Sequence, residues 1–344
     1  RVGDTPQGKK RLVSFYFTLA RDLEEQLNAA ENAEKKDVLA AGFETFLNEV
    51  GATGMDFSVR YWAASTLQGL GASFEANGIV SPRSREYYEK SVVQFKSIAE
   101  KGKEDVTWIN EDEVTGKAYL AQIRMNMAQV MKRLGQQQEA VKELAYILLE
   151  TPSNVSVQIE AAKTYNELGA QTGEQAQFLY AIGGARPKDG ENLIWGWRKL
   201  STLTQGKQQF TSEYYETRLG IAEARLGLGR AKQGDEGKKH IGYAELEILN
   251  TYKIYPELGG TEFTARFDSL LRTIQRELGK TENGLTGASD APLTLDNTDI
   301  PGLEPAVAAP PKKKESDSNM LLFASLAGIF AAFGLILYFW VKKL

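Results

Sequence analysis

An all-α fold, a superhelix of tandem helical hairpins, follows from three observations on the sequence. First, the chain nearly repeats itself after 34 residues. Ala128 falls on Ala162, Met131 on Tyr165, Leu134-Gly135 on Leu168-Gly169 and Leu144 on Phe178, while Pro152 falls one short of Pro187. Second, Leu120, Ile123, Met127, Val130 and Leu134 recur at intervals of three and four, which puts them on one face of a helix. Third, glycine and proline punctuate each copy: Gly135 closes a first helix, Ala140, Leu144 and Ile147 mark a second, and Thr151-Pro152-Ser153 stops it. Ala128, Ala140, Ala162 and Ala181 supply the small side chains that two closely crossing helices need.

A 34-residue helix-turn-helix with small residues at the crossing and a terminal proline resembles the tetratricopeptide repeat family. The resemblance is clearest over residues 121–154 and 155–188. The tryptophan common early in the family's first helix is missing, with Arg124 and Gln158 in its place. The resemblance implies a right-handed α-α superhelix whose first helices line a concave, protein-binding face. The positions it exposes there are Gln122, Met125, Asn126, Gln129 and Arg133 in one unit, and Ser156, Ile159, Lys163 and Asn166 in the next. Asn126, Arg133, Lys163 and Asn166 are too sparse a basic and amide set for the family's carboxylate clamp. A mixed polar surface of Gln122, Asn126, Gln129, Arg133, Lys163 and Asn166, suited to a folded protein partner, is expected instead.

The elements follow in order within a repeat domain spanning residues 1–278. Residues 9–50 carry two apolar stripes, the second being Val38-Leu39, Phe43 and Phe46-Leu47, with Gly51 and Gly54 closing the pair. Residues 56–101 form a divergent hairpin. Its first helix runs from Phe57 to Phe74, a turn contains Asn77-Gly78 and Ser81-Pro82, and Ser91, Phe95 and Ile98 reproduce the spacing of Ala140, Leu144 and Ile147. Residues 191–205 predict a helix ending at Gly206, in which Trp195 and Trp197 face opposite ways, one of them a candidate contact. Residues 213–256 form another divergent hairpin, a helix to Gly227, a loop of glycines and charges over 229–239 and a helix 240–255. Residues 263–278 close the domain, with Phe267, Leu270-Leu271 and Ile274 inward and Asp268, Arg272 and Arg276 in water.

Composition then shifts. Residues 279–319 hold five of the ten prolines and no periodic apolar pattern, which predicts a flexible linker. Residues 320–341 carry no charge, and as a helix would span about 33 Å, the thickness of the hydrocarbon layer. A single-pass transmembrane helix is expected there. Tyr338 and Trp340 sit at interfacial depth, and Lys342 and Lys343, in the short basic tail 342–344, anchor it. The terminal lysine pair favours a cytoplasmic carboxyl terminus and an extracytoplasmic repeat domain, as in a bacterial envelope protein. Lys312–Lys314 on the other flank favour the reverse, a tail-anchored protein facing the cytoplasm. A chain opening on Arg1 points to a processed terminus or a fragment.

The chain has no cysteine, which excludes disulfides, thiolate metal sites and cysteine nucleophiles. A net charge of −4 gives phosphate backbones no overall attraction, so nucleic acid is not an expected partner. His240, the single histidine, has no second histidine and no G-x-S-x-G elbow to serve, and is expected to be solvated or capping. Glycines 183-184, 227–229 and 259-260 lack Walker spacing and are expected at helix ends. Glu111-Asp112-Glu113 suits the start of a helix better than a calcium loop. No catalytic constellation, cofactor or metal site is expected. The function that follows is a membrane-anchored scaffold for other proteins. A self-assembling subunit of a lattice or pore competes with it, since Ala324, Gly328 and Ala332 offer small-xxx-small spacing for contacts between anchors.

Overall fold

A computed structural model describes residues 33–52, 57–185 and 193–287, with single helical positions at 18, 22, 25 and 26 before them. The chain divides into two units, Arg1–Leu293 and Thr294–Leu344, and every described residue lies in the first. The predicted transmembrane helix, with Tyr338, Trp340, Lys342 and Lys343, lies outside the described residues. So does the linker beyond residue 287 and most of the first predicted apolar stripe.

Among the described residues the protein is all-α, with eleven α-helices and no strand longer than a single bridge. They are α1 (Ala33–Ala52), α2 (Phe57–Ser73), α3 (Pro82–Glu104), α4 (Glu113–Arg133), α5 (Gln137–Glu150) and α6 (Val155–Thr172). There follow α7 (Gln175–Gly183), α8 (Gly196–Thr204), α9 (Thr211–Lys232), α10 (Gly234–Ile254) and α11 (Thr261–Glu277). Each helix packs on the next, with a short 3-10 turn joining α8 to α9, and α9 also touches α6, α7 and α11.

Caps explain many of the boundaries. Ser81 Oγ accepts from the Ser84 amide at 3.0 Å ahead of Pro82, whose missing N–H costs nothing at a helix start. Asp112 accepts from the Thr115 amide at 3.0 Å, and Asn154 from the Val157 amide at 3.2 Å. Gly135 and Gly173 take the left-handed conformation, at φ 79° and 71°, that releases α4 and α6 into their partners.

The core is shared between neighbours. Ala128 and Ala162, 34 residues apart, are both fully buried, and so are Ala140 and Ala181. Leu144 and Phe178, equivalent in that register, are both buried, each worth roughly 2 kcal/mol of apolar transfer. One cluster runs from α2 to α6, a second joins α6, α7, α8 and α9, and a third joins α9, α10 and α11. Phe43 and Leu47 of α1 are buried as expected, but Val38 is exposed.

Five sequence expectations are corrected. The loop predicted over 229–239 is almost wholly helical: α9 continues to Lys232, and the turn to α10 is made at Gln233, with φ 56°. Gly229 and Gly237 are there because the two helices touch. A methyl on Gly229 would strike the Ile241 side chain and approach the Gly237 carbonyl to 2.7 Å. Gly227 is likewise no terminus, but a notch in α9 that receives the Phe178 ring. The helix predicted from 191 begins only at Gly196, because Ala185 N donates to Ile194 O at 3.1 Å and Gly196 has φ 68°. Residues 280–287, predicted as linker, fold back onto α11. Leu285 is buried, its amide donates to Asp268 Oδ1 at 2.8 Å, and the Gly284 amide donates to Gln275 Oε1 at 2.9 Å. Asp268 and Arg272 are therefore half-buried partners rather than solvated charges, joined at 2.7 Å.

Candidate protein-binding groove

Helix α4 buries Ile123, Met127 and Val130, which turns Gln122, Asn126, Gln129 and Arg133 to its other side. There the helices α2, α3, α4 and α6 leave a groove of about 580 Å³. Its walls are Gln68 and Ala72 of α2, Tyr88 of α3, Gln129, Val130, Lys132 and Arg133 of α4, and Glu160 and Glu167 of α6, with Gln137 at one end.

Lys132 braces the groove. Its ammonium bridges Glu160 and Glu167, the latter at 2.9 Å, tying α4 to α6. Burial alone would depress its pKa, yet the two carboxylates outweigh that and hold it above its ordinary value. On the opposite wall Tyr88 donates to Glu75 at 2.6 Å, and burial followed by this bond raises the phenol. Arg133 stands 3.7 Å from Glu75 with its side chain more than half exposed. The groove therefore has fixed charges in its walls and freely reachable donors in Gln129 and Arg133.

The six expected contact residues do not form one patch. Gln129 and Arg133 line the groove. Gln122 Nε2 donates to Asn126 Oδ1 at 2.7 Å, and Asn126 Nδ2 donates to the Tyr61 hydroxyl at 3.0 Å, so this pair links α4 to α2. Lys163 and Asn166 bind α9 instead: Lys163 pairs with Glu216 at 2.8 Å, and Asn166 Nδ2 donates to the Gly220 carbonyl at 3.3 Å. Lys132, Glu160, Glu167, Gln68 and Tyr88 were not anticipated as a group. The seven-residue spacing of Glu160 and Glu167, two turns on one helix face, was the available signal.

A second polar zone joins α6, α9 and α11. Glu216 receives Arg266 through two bonds of 2.6 and 3.0 Å as well as Lys163. Burial would raise its carboxyl, but these cations hold it below the ordinary range. Glu223, two turns on, is exposed to solvent, yet surrounding protein raises its pKa by desolvation, with Glu216 adding to it and Arg266 and Lys163 opposing.

The remaining features were placed as follows. Trp197 is buried and Trp195 partly exposed, with Lys199 Nζ 4.3 Å from its ring centroid. His240 neither caps nor opens a helix. It lies inside α10, half-buried, with its ring edge-on to Tyr243 at 5.9 Å, and burial, Lys232 and Arg225 lower its pKa. Among the described residues no group of three or more acidic or histidine side chains could hold a metal ion, and no helix is long and apolar enough to cross a membrane. Compared with protein-family models, with curated proteins and with solved structures, the chain gives no match.

Proposed function

We propose that this chain is a membrane-anchored scaffold of the tetratricopeptide-like kind, which docks another protein in the groove between α2, α4 and α6. The observation that carries the proposal is the groove itself. Its walls are locked by Lys132, Glu160 and Glu167, while Gln129 and Arg133 stay available to a partner. A preformed polar surface loses little ordering entropy when it binds. The 34-residue register with buried alanines at both crossings supports the repeat reading, and with it a right-handed superhelix. The uncharged run 320–341, ended by Lys342 and Lys343, supports a lipid tether with the array on the extracytoplasmic side.

Crosslinking in native membranes with mass spectrometry tests the reading. Links from the groove to a different protein are expected, and the double variant Gln129→Glu, Arg133→Glu should lose them without changing the melting temperature. Recovery of copies of this chain alone would replace the scaffold with the self-assembling subunit. Protease cleavage of residues 288–319 in sealed vesicles reads the orientation.

A further inference from the structure

Away from the groove, α8, α9 and α10 bring together three arginines and too few acids. Arg218 and Arg225 are seven residues apart, on one face of α9, and His240, Tyr243 and Glu247 share a face of α10. Arg218 pairs with Glu247 at 2.8 Å, and its Nε donates to Thr251 Oγ1 at 3.0 Å. Arg225 is 6% exposed, and its guanidinium carbon lies 5.4 Å from the Tyr243 ring centroid. Its Nε is buried and has no hydrogen-bond partner. Arg198 of α8, half-buried, is near enough to repel the Arg225 charge.

Among the described residues, one carboxylate, Glu247, attracts all three guanidinium groups, which leaves two positive charges over. Arginine cannot shed its charge at physiological pH, so the imbalance persists in the folded chain. A buried cation left without a counter-charge destabilises the fold. The strain shows in both side chains: burial depresses Arg198 and Arg225 below the ordinary arginine value, and the attraction of Glu247 does not restore them.

We propose that Arg198, Arg218 and Arg225, gathered around Glu247, form a binding site for a phosphate-class dianion. The charge fits, since a phosphate monoester carries about −1.5 to −2 at neutral pH and matches the excess of two. The donor geometry fits as well. Guanidinium forks recognise phosphate oxygens in pairs, and Arg225 has an unpartnered N–H while Arg198 and Arg218 are each partly exposed. Glu247 competes for the same cations and keeps the site assembled when the dianion leaves. The phosphate comes either from a soluble monoester or from a lipid headgroup.

Calorimetric titration of the full chain in detergent with inorganic phosphate, at constant ionic strength in chloride, tests the site. One phosphate per chain is expected, weakened at least tenfold in both Arg225→Gln and Arg198→Gln, and tightened several-fold in Glu247→Gln, which removes the competing carboxylate. Arg198 is only half-buried, so its variant retains the test if Arg225→Gln does not fold. Flotation with phosphatidylcholine vesicles, with and without phosphatidic acid, separates the sources. A phosphatidic acid preference lost in Arg198→Gln, without binding of inorganic phosphate, assigns the dianion to a headgroup. Absence of any arginine-dependent response to phosphate or to phosphatidic acid overturns the site.

Discussion

Gly227 and Gly242 stand in neighbouring helices and carry opposite consequences. A methyl at 227 would collide with the Phe178 ring, whereas one at 242 meets nothing within 4 Å. Gly242→Ala should raise stability by about 0.5–1 kcal/mol, the ordinary helix preference of alanine. Gly227→Ala should lower it by about 1 kcal/mol, since overpacking exceeds that gain. Paired thermal melts decide both. Glu223 offers a pH signature. Its folded pKa is raised, so its contribution to stability is full below the unfolded carboxyl pKa and is lost as pH rises through the folded value. Glu223→Gln should therefore melt higher than the parent at pH 7, with the difference vanishing toward pH 4. Individual residues were only partly legible in the sequence. The buried alanines announced themselves by their spacing, but nothing local to Arg198, Arg218 or Arg225 signals that distant turns bring them together.

Between elements, Gln158 joins what the helices alone would leave open. It is fully buried, Nε2 donates to the carbonyls of Pro152 and Leu193 at 2.8 Å each, and Oε1 accepts from the Trp195 amide at 2.8 Å. This side chain couples the start of α6 to the segment entering α8. Gln158→Ala would remove three hydrogen bonds to backbone groups, at about 1 kcal/mol each a loss of about 3 kcal/mol. At roughly 2–4 °C per kcal/mol, the melting temperature should fall about 10 °C. Helix positions in residues 57–183 were legible because apolar period, caps and prolines agree there. The 229–239 stretch was not, because glycine is ambiguous in a sequence: it marks a chain break and a close helix contact with the same letter. The break falls at Gln233 and Gly234, both at positive φ, while Gly229 and Gly237 mark the contact.

For the helical unit as a whole, the informative boundary is its carboxyl end. Proline content and the lack of apolar period suggested an end at residue 278, but one leucine and two amides carry the fold to residue 287. A chain ending at 287 should melt several degrees above one ending at 278, because the shorter one exposes the Leu285 site and leaves Asp268 and Gln275 without their amide partners. Differential scanning calorimetry of the two distinguishes them. A pattern search misses such a segment, since a single buried side chain held by two hydrogen bonds has no periodicity.

The glycine notches under Phe178 and Trp197 have a mechanical corollary. Gly169 and Gly227 grip one ring from two sides, and Gly220 seats the other, as a key sits in its slot. Sliding α7 or α8 along α9 by a single turn would drive each ring into a neighbouring side chain. Under load this junction should hold as a rigid bracket until it lets go all at once, and pulling on single molecules should register it as one abrupt step instead of gradual creep.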